Sequence, residues 1–183
     1  MPVPGLPSKA DLSRQVSRCS LRLPLLILLG LLTSTQTTAA PSAENKVLPP
    51  YQQLARLNQQ ASPQSGPALL LLFAPDCRYC KQQARRMAQL QAQCPAVRLA
   101  LLGVQAARAE LLQEVRQLKT PLPAYLVNPT FLRAIDGVQA VPTSLILDAE
   151  GRLLLKHRGM LGAAQLNQLS QTLLAPDCQP TLE

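Results

Sequence analysis

Apolar runs broken by polar and proline-rich stretches divide the chain into alternating short and long segments. Ala68 to Phe73 (ALLLLF) is an unbroken apolar run. It is too short for a buried helix and predicts a central strand covered on both faces. From Cys77 to about Gln93 the chain carries Gln, Arg, Ala, Met and Leu without a breaker, which predicts a helix that stops before Pro95. Ala96 to Val104 (AVRLALLGV) predicts a second strand, and Ala106 to Leu118 a second long helix closed by KTPLP. A brief strand over Ala124 to Val127 and a short helix over Pro129 to Ile135, ending at Asp136-Gly137, come next. Ser144 to Leu147 is expected as a strand, DAEG as a turn, Arg152 to His157 as the returning strand of a hairpin, and Gly162 to Leu174 as a final helix. Ahead of all these, Tyr51, Leu54 and Leu57 are spaced i, i+3, i+6 and predict a short helix over Tyr51 to Gln60. SAENKVLPP before it reads as a linker, and ASPQSGP after it as a loop. Alternating strands and helices with one terminal hairpin predict an α/β protein with a mixed central sheet flanked by helices.

The first forty residues follow a different pattern. Arg14, Arg18 and Arg22 precede LPLLILLGLL (Leu23 to Leu32), and small and polar residues follow. That is the order of a secretory signal. At about 1.5 Å rise per residue, ten residues span roughly 15 Å, about half a bilayer core, so a cleaved signal is favoured over a membrane span. Thr37-Thr38-Ala39 fits a small-x-small cleavage pattern, whereas a cut after Ala40 would leave Pro41 next. The competing reading keeps the segment as an uncleaved inner-membrane anchor. The expected division is therefore residues 1–40 as signal or anchor, 41–67 as linker and short helix, and 68–183 as one domain facing the periplasm.

Charge narrows the partners. The formal net charge is +8. Without Met1 to Ala40, 14 basic and 9 acidic residues remain, about +5, with no run of lysines or arginines. Nucleic-acid binding calls for a basic patch with interleaved aromatics, and neither is present. The charge reads as diffuse solvation with a mild preference for acidic partners. No internal repeat is visible.

Candidate chemistry lies in the cysteines. Cys19 falls in the leader, in a VSRCS context whose charge does not suit a lipoprotein signal, and has no assigned role. Cys77, Cys80, Cys94 and Cys178 remain, an even number that allows three pairings in an oxidising compartment. Cys77-Arg78-Tyr79-Cys80 sits where a strand and short turn give way to a helix. Unpaired N–H groups and the helix dipole at that end stabilise an anion, and the thiolate is the nucleophile of disulfide exchange. Arg78 acts in the same direction, while Asp76 opposes it electrostatically and is a candidate cap. Tyr79 offers a flat apolar surface beside the sulfur. A redox pair, half of a zinc site and inert buried thiols all fit the spacing alone. The zinc reading has little support, since there is no second C-x-x-C and the one histidine, His157, lies far along the chain on a predicted strand. His157 itself reads as a polar strand-edge residue.

A second signal decides between these readings. Pro142, in VQAVPTSLILDAEGRLLLKHRG, directly precedes a strand and hairpin about 60 residues after the C-x-x-C. A C-x-x-C after a buried strand, followed by Val-Pro-Thr and a hairpin, resembles the thioredoxin superfamily. LALLGVQ, a helix, and then TPLPAYLVNPTFLRAIDGVQAVPTSLILDAEGRLL resemble the periplasmic TlpA/ResA/DsbE group, over roughly Ala68 to Leu174. The resemblance implies a thioredoxin fold with a βα insertion before a cis-proline at Pro142. It also implies that Val141 presents its backbone to a substrate strand. There are departures: Asp76 stands where the group commonly has Trp, Gln83 where it often has Glu, and Leu71 where thioredoxin has a buried Asp.

On this footing the expected activity is thiol–disulfide exchange. Cys77 is the nucleophile, Cys80 the resolving thiol, and Val141, Pro142, Arg78 and Tyr79 the substrate platform; no cofactor or metal is needed. The expected partners are protein thiols or disulfides and an upstream redox partner in the membrane or periplasm, met by a monomer. Three rival roles stay open: an isomerase, although Pro41 to Pro67, at 27 residues, is too short for a dimerisation module; an oxidase, which Arg78 would favour; and a metal or cytochrome-maturation accessory using the two thiols as ligands. In a thioredoxin fold the helix from Cys77 and the final helix both run away from the active site on one face of the sheet. Cys94 and Cys178 then meet at the opposite pole, and a structural disulfide between them is expected.

Overall fold

The computed structural model describes residues 46–61 and 66–182. The signal or anchor expected over 1–40, Cys19 included, lies outside the described residues. Strands β1 (Ala55–Arg56), β2 (Ala68–Phe73), β3 (Arg98–Gly103), β4 (Ala124–Leu126), β5 (Thr143–Leu147) and β6 (Leu153–Arg158) form one sheet, ordered β1-β4-β3-β2-β5-β6. Helices α1 (Arg78–Gln93), α2 (Arg108–Leu118), α3 (Pro129–Ala134) and α4 (Ala163–Leu169) alternate with them, and α4 continues as a π-helical turn over Ser170–Leu174. The β2–β3 and β3–β4 pairs are parallel; β1–β4, β2–β5 and β5–β6 are antiparallel. The sheet is therefore mixed, as expected. The α2–β4 unit inserted between β3 and α3 adds its strand outside β3.

The central position of β2 follows from its sequence. All six of its residues are buried, and successive side chains leave opposite faces of a strand. Leu69, Leu71 and Phe73 join Cys80, Ala84, Met87, Leu90, Leu111 and Leu166 in one apolar layer. Ala68, Leu70 and Leu72 join Tyr51, Tyr125, Phe131 and Leu145 in the other. Helices α1, α2 and α4 thus cover one face, and α3 with the N-terminal segment covers the other. Gly103 ends β3 where α2 crosses it: a Cβ there would sit 2.9 Å from Leu111 Cδ1, so a side chain would force the Leu111 side chain to shift.

One expected element differs. The helix predicted over Tyr51 to Gln60 is a single 3-10 turn, Tyr51–Gln53, followed by β1. Tyr51 and Leu54 enter one layer and Leu57 the other, which no single helix face can do. The free edge of β4 draws the chain into extended form. Ala55 and Arg56 pair with Leu126 and Tyr125, Leu57 N donates to Ala124 O at 2.8 Å, and Asn58 both donates to Leu122 O and accepts from Ala124 N. Among the described residues, no helix is long and apolar enough to cross a membrane.

Candidate active site

The turn between β2 and α1 places the two cysteines. Asp76 takes a left-handed conformation, φ 58°, and reverses the chain. It does not cap the helix. Cys77 does, with its Sγ accepting from Cys80 N at 3.1 Å. The orphan amides of the first helical turn therefore face the Cys77 sulfur directly. Cys77 and Cys80 are joined in a disulfide with Cα atoms 5.2 Å apart. Cys77 is half-buried, whereas Cys80 is 3% exposed. Arg78 is exposed and Tyr79 is 58% exposed, so both stand at the rim.

The Val141–Pro142 bond is cis. Leu72 lies opposite Thr143 in the β2–β5 register, so Pro142 sits beside the end of β2 from which the cysteine turn leaves. Cys77 and Val141 pack against the same apolar cluster as Cys80. Around the proline, Thr143 Oγ1 donates to Ala140 O at 2.7 Å and Gly159 N to Pro142 O at 2.8 Å. Further back, Lys156 Nζ donates to Ile135 O and Gly137 O and ties β6 to the loop that leads into Val141. Burial pushes the Lys156 ammonium below its ordinary value, an effect that Asp136 opposes and Arg158 reinforces.

Gln83, in the position where a carboxylate was absent, is wholly buried. Its Nε2 donates to Ser144 Oγ at 2.6 Å and its Oε1 accepts from Leu161 N at 3.1 Å. One side chain thereby joins the second turn of α1 to β5 and to the loop before α4. Gln83→Ala strands the Leu161 amide and the Ser144 hydroxyl, and a loss of about 1–3 kcal/mol is expected. Urea unfolding checks this; an unchanged midpoint would contradict the bridging role.

Sequence reasoning missed Glu114. It lies on α2 beside the apolar positions Leu111 and Val115, is 5% exposed, and pairs with Lys81 Nζ at 3.1 Å. Lys81 follows Cys80 directly. The detectable signal was an acidic residue on the apolar stripe of a helix. Pro75, Asp76, Glu110 and Glu114 line a small cleft, about 200 Å³, on this side of the turn. His157 lies opposite Ser144 on β6, the edge strand of the sheet, and is half-buried. No group of three or more His, Cys, Asp or Glu among the described residues is gathered to hold a metal.

Cys94 and Cys178 lie at the other pole, joined in a disulfide with Cα atoms 5.9 Å apart. Cys94 is the C-cap of α1. Gln93 Oε1 accepts from Thr181 N, and Asn167 exchanges two hydrogen bonds with the Leu182 backbone, so the tail is held along α4.

A cysteine pair at the N-terminus of the helix that follows a buried central strand, with a cis-proline at the same end of a mixed sheet, defines the thioredoxin class of fold. Residues 55–173 match the thioredoxin-like domain family, and the chain belongs to it. No curated protein matches the sequence. Solved structures share the fold. A Chlorobium tepidum thiol:disulfide interchange protein of the thioredoxin family is 17% identical with TM-score 0.53, over 67% of this chain and 96% of its own. A Corynebacterium glutamicum thiol-disulfide isomerase is 14% identical with TM-score 0.57, over 72% and 97%. A Chlorobium tepidum protein described as thiol:disulfide interchange protein DsbE is 22% identical with TM-score 0.50, over 64% and 92%. The likeness to these structures is one of fold.

Proposed function

We propose that the protein is a periplasmic thiol–disulfide oxidoreductase acting on protein thiols or disulfides through Cys77 and Cys80. The observation that carries this reading is the unequal placement of the pair: Cys77 half-exposed at the helix N-cap, Cys80 buried behind it. In the reducing direction the Cys77 thiolate attacks one sulfur of a substrate disulfide. A mixed disulfide forms and the substrate's other sulfur leaves as a thiolate. Cys80, deprotonated, then attacks Cys77 Sγ; the Cys77–Cys80 bond closes and the second substrate thiolate departs. Two electrons pass from the dithiol to the substrate, and the reverse sequence oxidises a substrate dithiol. Val141 and Pro142 form the platform against which a substrate strand lies, with Arg78 and Tyr79 at its rim. An upstream redox partner resets the pair, and the protein works as a monomer exported by its N-terminal segment.

The test equilibrates the protein in glutathione buffers and reads the Cys77–Cys80 state by alkylation and mass. A two-electron transition is expected with its midpoint between about −270 and −120 mV, the range this kind of dithiol spans. A pair that remains oxidised across the whole series would sink the reading.

The Lys81–Glu114 pair acts as a positioning element here. Glu114→Gln leaves the Lys81 charge without its counter-ion one residue from Cys80, which favours thiolate over thiol nearby. Alkylation of reduced Cys77 by iodoacetamide at neutral pH is expected to rise by on the order of threefold. The pH profile of that rate should move to lower pH, a shift that simple destabilisation would not produce. An unmoved profile removes Glu114 from the mechanism.

A further inference from the structure

The pole away from the dithiol holds a second feature that exchange chemistry does not use. Strands β2 and β3 run in parallel, with Phe73 opposite Gly103 at the cysteine end and Ala68 opposite Arg98 at the other. Arg98 therefore starts β3 about 16 Å, five strand steps, from the active-site edge. It lines a cavity of about 590 Å³ together with Leu48, Pro50, Tyr51, Arg56 and Leu147. That volume is in the range of small-molecule sites.

Arg98 is only 6% exposed, and its Nε is buried without a hydrogen-bond partner. Among the described residues no carboxylate pairs with it. Glu150 also lines the cavity, but its Oε2 is engaged by Arg152 Nη2 at 3.0 Å. Arg56, the second arginine of the wall, donates to Gln60 O and stacks over the Tyr125 ring, which holds its charge at the rim. A guanidinium stays charged, and a buried N–H donor with no partner is unfavourable. Its planar donors match a carboxylate in two-point geometry, and an anion seated there would remove both the unpaired charge and the orphan donor. Leu48, Pro50 and Leu147 form an apolar part of the wall, and Gln52 and Gln53 a polar part.

We propose that this cavity is a binding site for a small organic acid, its carboxylate on Arg98 and its apolar body against Leu48, Pro50 and Leu147. The site is separate from the Cys77–Cys80 pair and does not depend on the exchange activity assigned to it.

The probes are 4-phenylbutyrate and its neutral amide, titrated into the full chain by calorimetry and followed by amide NMR. Saturable, sub-millimolar binding of the acid is expected, with shifts at Leu48, Arg98 and Leu147 and at least tenfold weaker binding of the amide. Arg98→Met should abolish binding of the acid while leaving the glutathione equilibrium of the cysteine pair unchanged. Equal binding of acid and amide, no saturable binding, or wild-type affinity in Arg98→Met would overturn the proposal. Should Arg98→Met fail to fold, the comparison of acid and amide on the unmodified protein decides alone.

Discussion

Cys77→Ser is expected to reduce disulfide exchange to the uncatalysed background, whereas Cys80→Ser is expected to leave the protein covalently attached to its substrates. The asymmetry follows from the helix cap. Cys77 Sγ accepts the Cys80 amide and stands half-exposed at the end of a helix whose dipole favours an anion. Cys80 Sγ is enclosed by the apolar layer that contains Ala84, Leu111 and Leu161. An incoming disulfide can meet only the first sulfur, and a mixed disulfide formed there can be resolved from within only by the second. Serine at 77 keeps the cap, because its oxygen can accept the same amide, so the fold should survive while the nucleophile is lost. Insulin reduction by dithiothreitol, followed as turbidity, measures the first variant; a wild-type rate would show that Cys77 is not the nucleophile. Non-reducing gels of the Cys80→Ser protein, expressed from its full sequence, measure the second. Absence of higher-mass species that collapse on reduction would count against Cys80 as the resolving thiol.

Much of this arrangement was legible in the sequence because the signals were local and periodic. ALLLLF predicts a strand buried on both sides, and the breaker-free stretch after Cys77 predicts a helix; both stand in the structure. What remained hidden depends on contacts between distant segments. Tyr51, Leu54 and Leu57 have helical spacing, but the open edge of β4 offers backbone partners that outweigh a one-turn preference. The side chain of Asp76 suits a helix cap; the left-handed turn instead delivers the cysteine itself to that position. Gln83 stands out in the sequence only for the carboxylate it lacks, because its partners, Ser144 and Leu161, are 61 and 78 residues away. Glu114 and Arg98 share one cause of invisibility. Each is a charged residue within an otherwise apolar pattern, and only the tertiary structure reveals that the first has a counter-ion in Lys81 and the second has none among the described residues.

Opening the Cys94–Cys178 disulfide is expected to cost more stability than any single buried contact away from the dithiol. The bond links residues 84 apart in sequence, and loop-closure entropy alone puts its effect on the unfolded chain at roughly 4 to 5 kcal/mol. Measured values for such bonds are often smaller, so a loss of about 2–4 kcal/mol is the expected range. In the folded state the bond sits between the C-cap of α1 and a tail whose Leu182 and Leu174 complete the apolar layer under α1 and α4. Cutting it therefore also loosens the contacts of Gln93 with Thr181 and of Asn167 with Leu182. The choice of variant matters, because Cys94 is 2% exposed and its truncation would add a cavity effect. Cys178→Ser removes the bond while leaving the buried thiol in place. The active-site pair is held reduced in both proteins, so the comparison isolates the far bond. Urea midpoints at equal slope then give the difference, and limited proteolysis should release the segment after Leu174 from the variant first. Midpoints within about 0.5 kcal/mol of each other, or a tail equally protected in both, would mean that packing along α4 holds the C-terminus and the disulfide adds nothing to it.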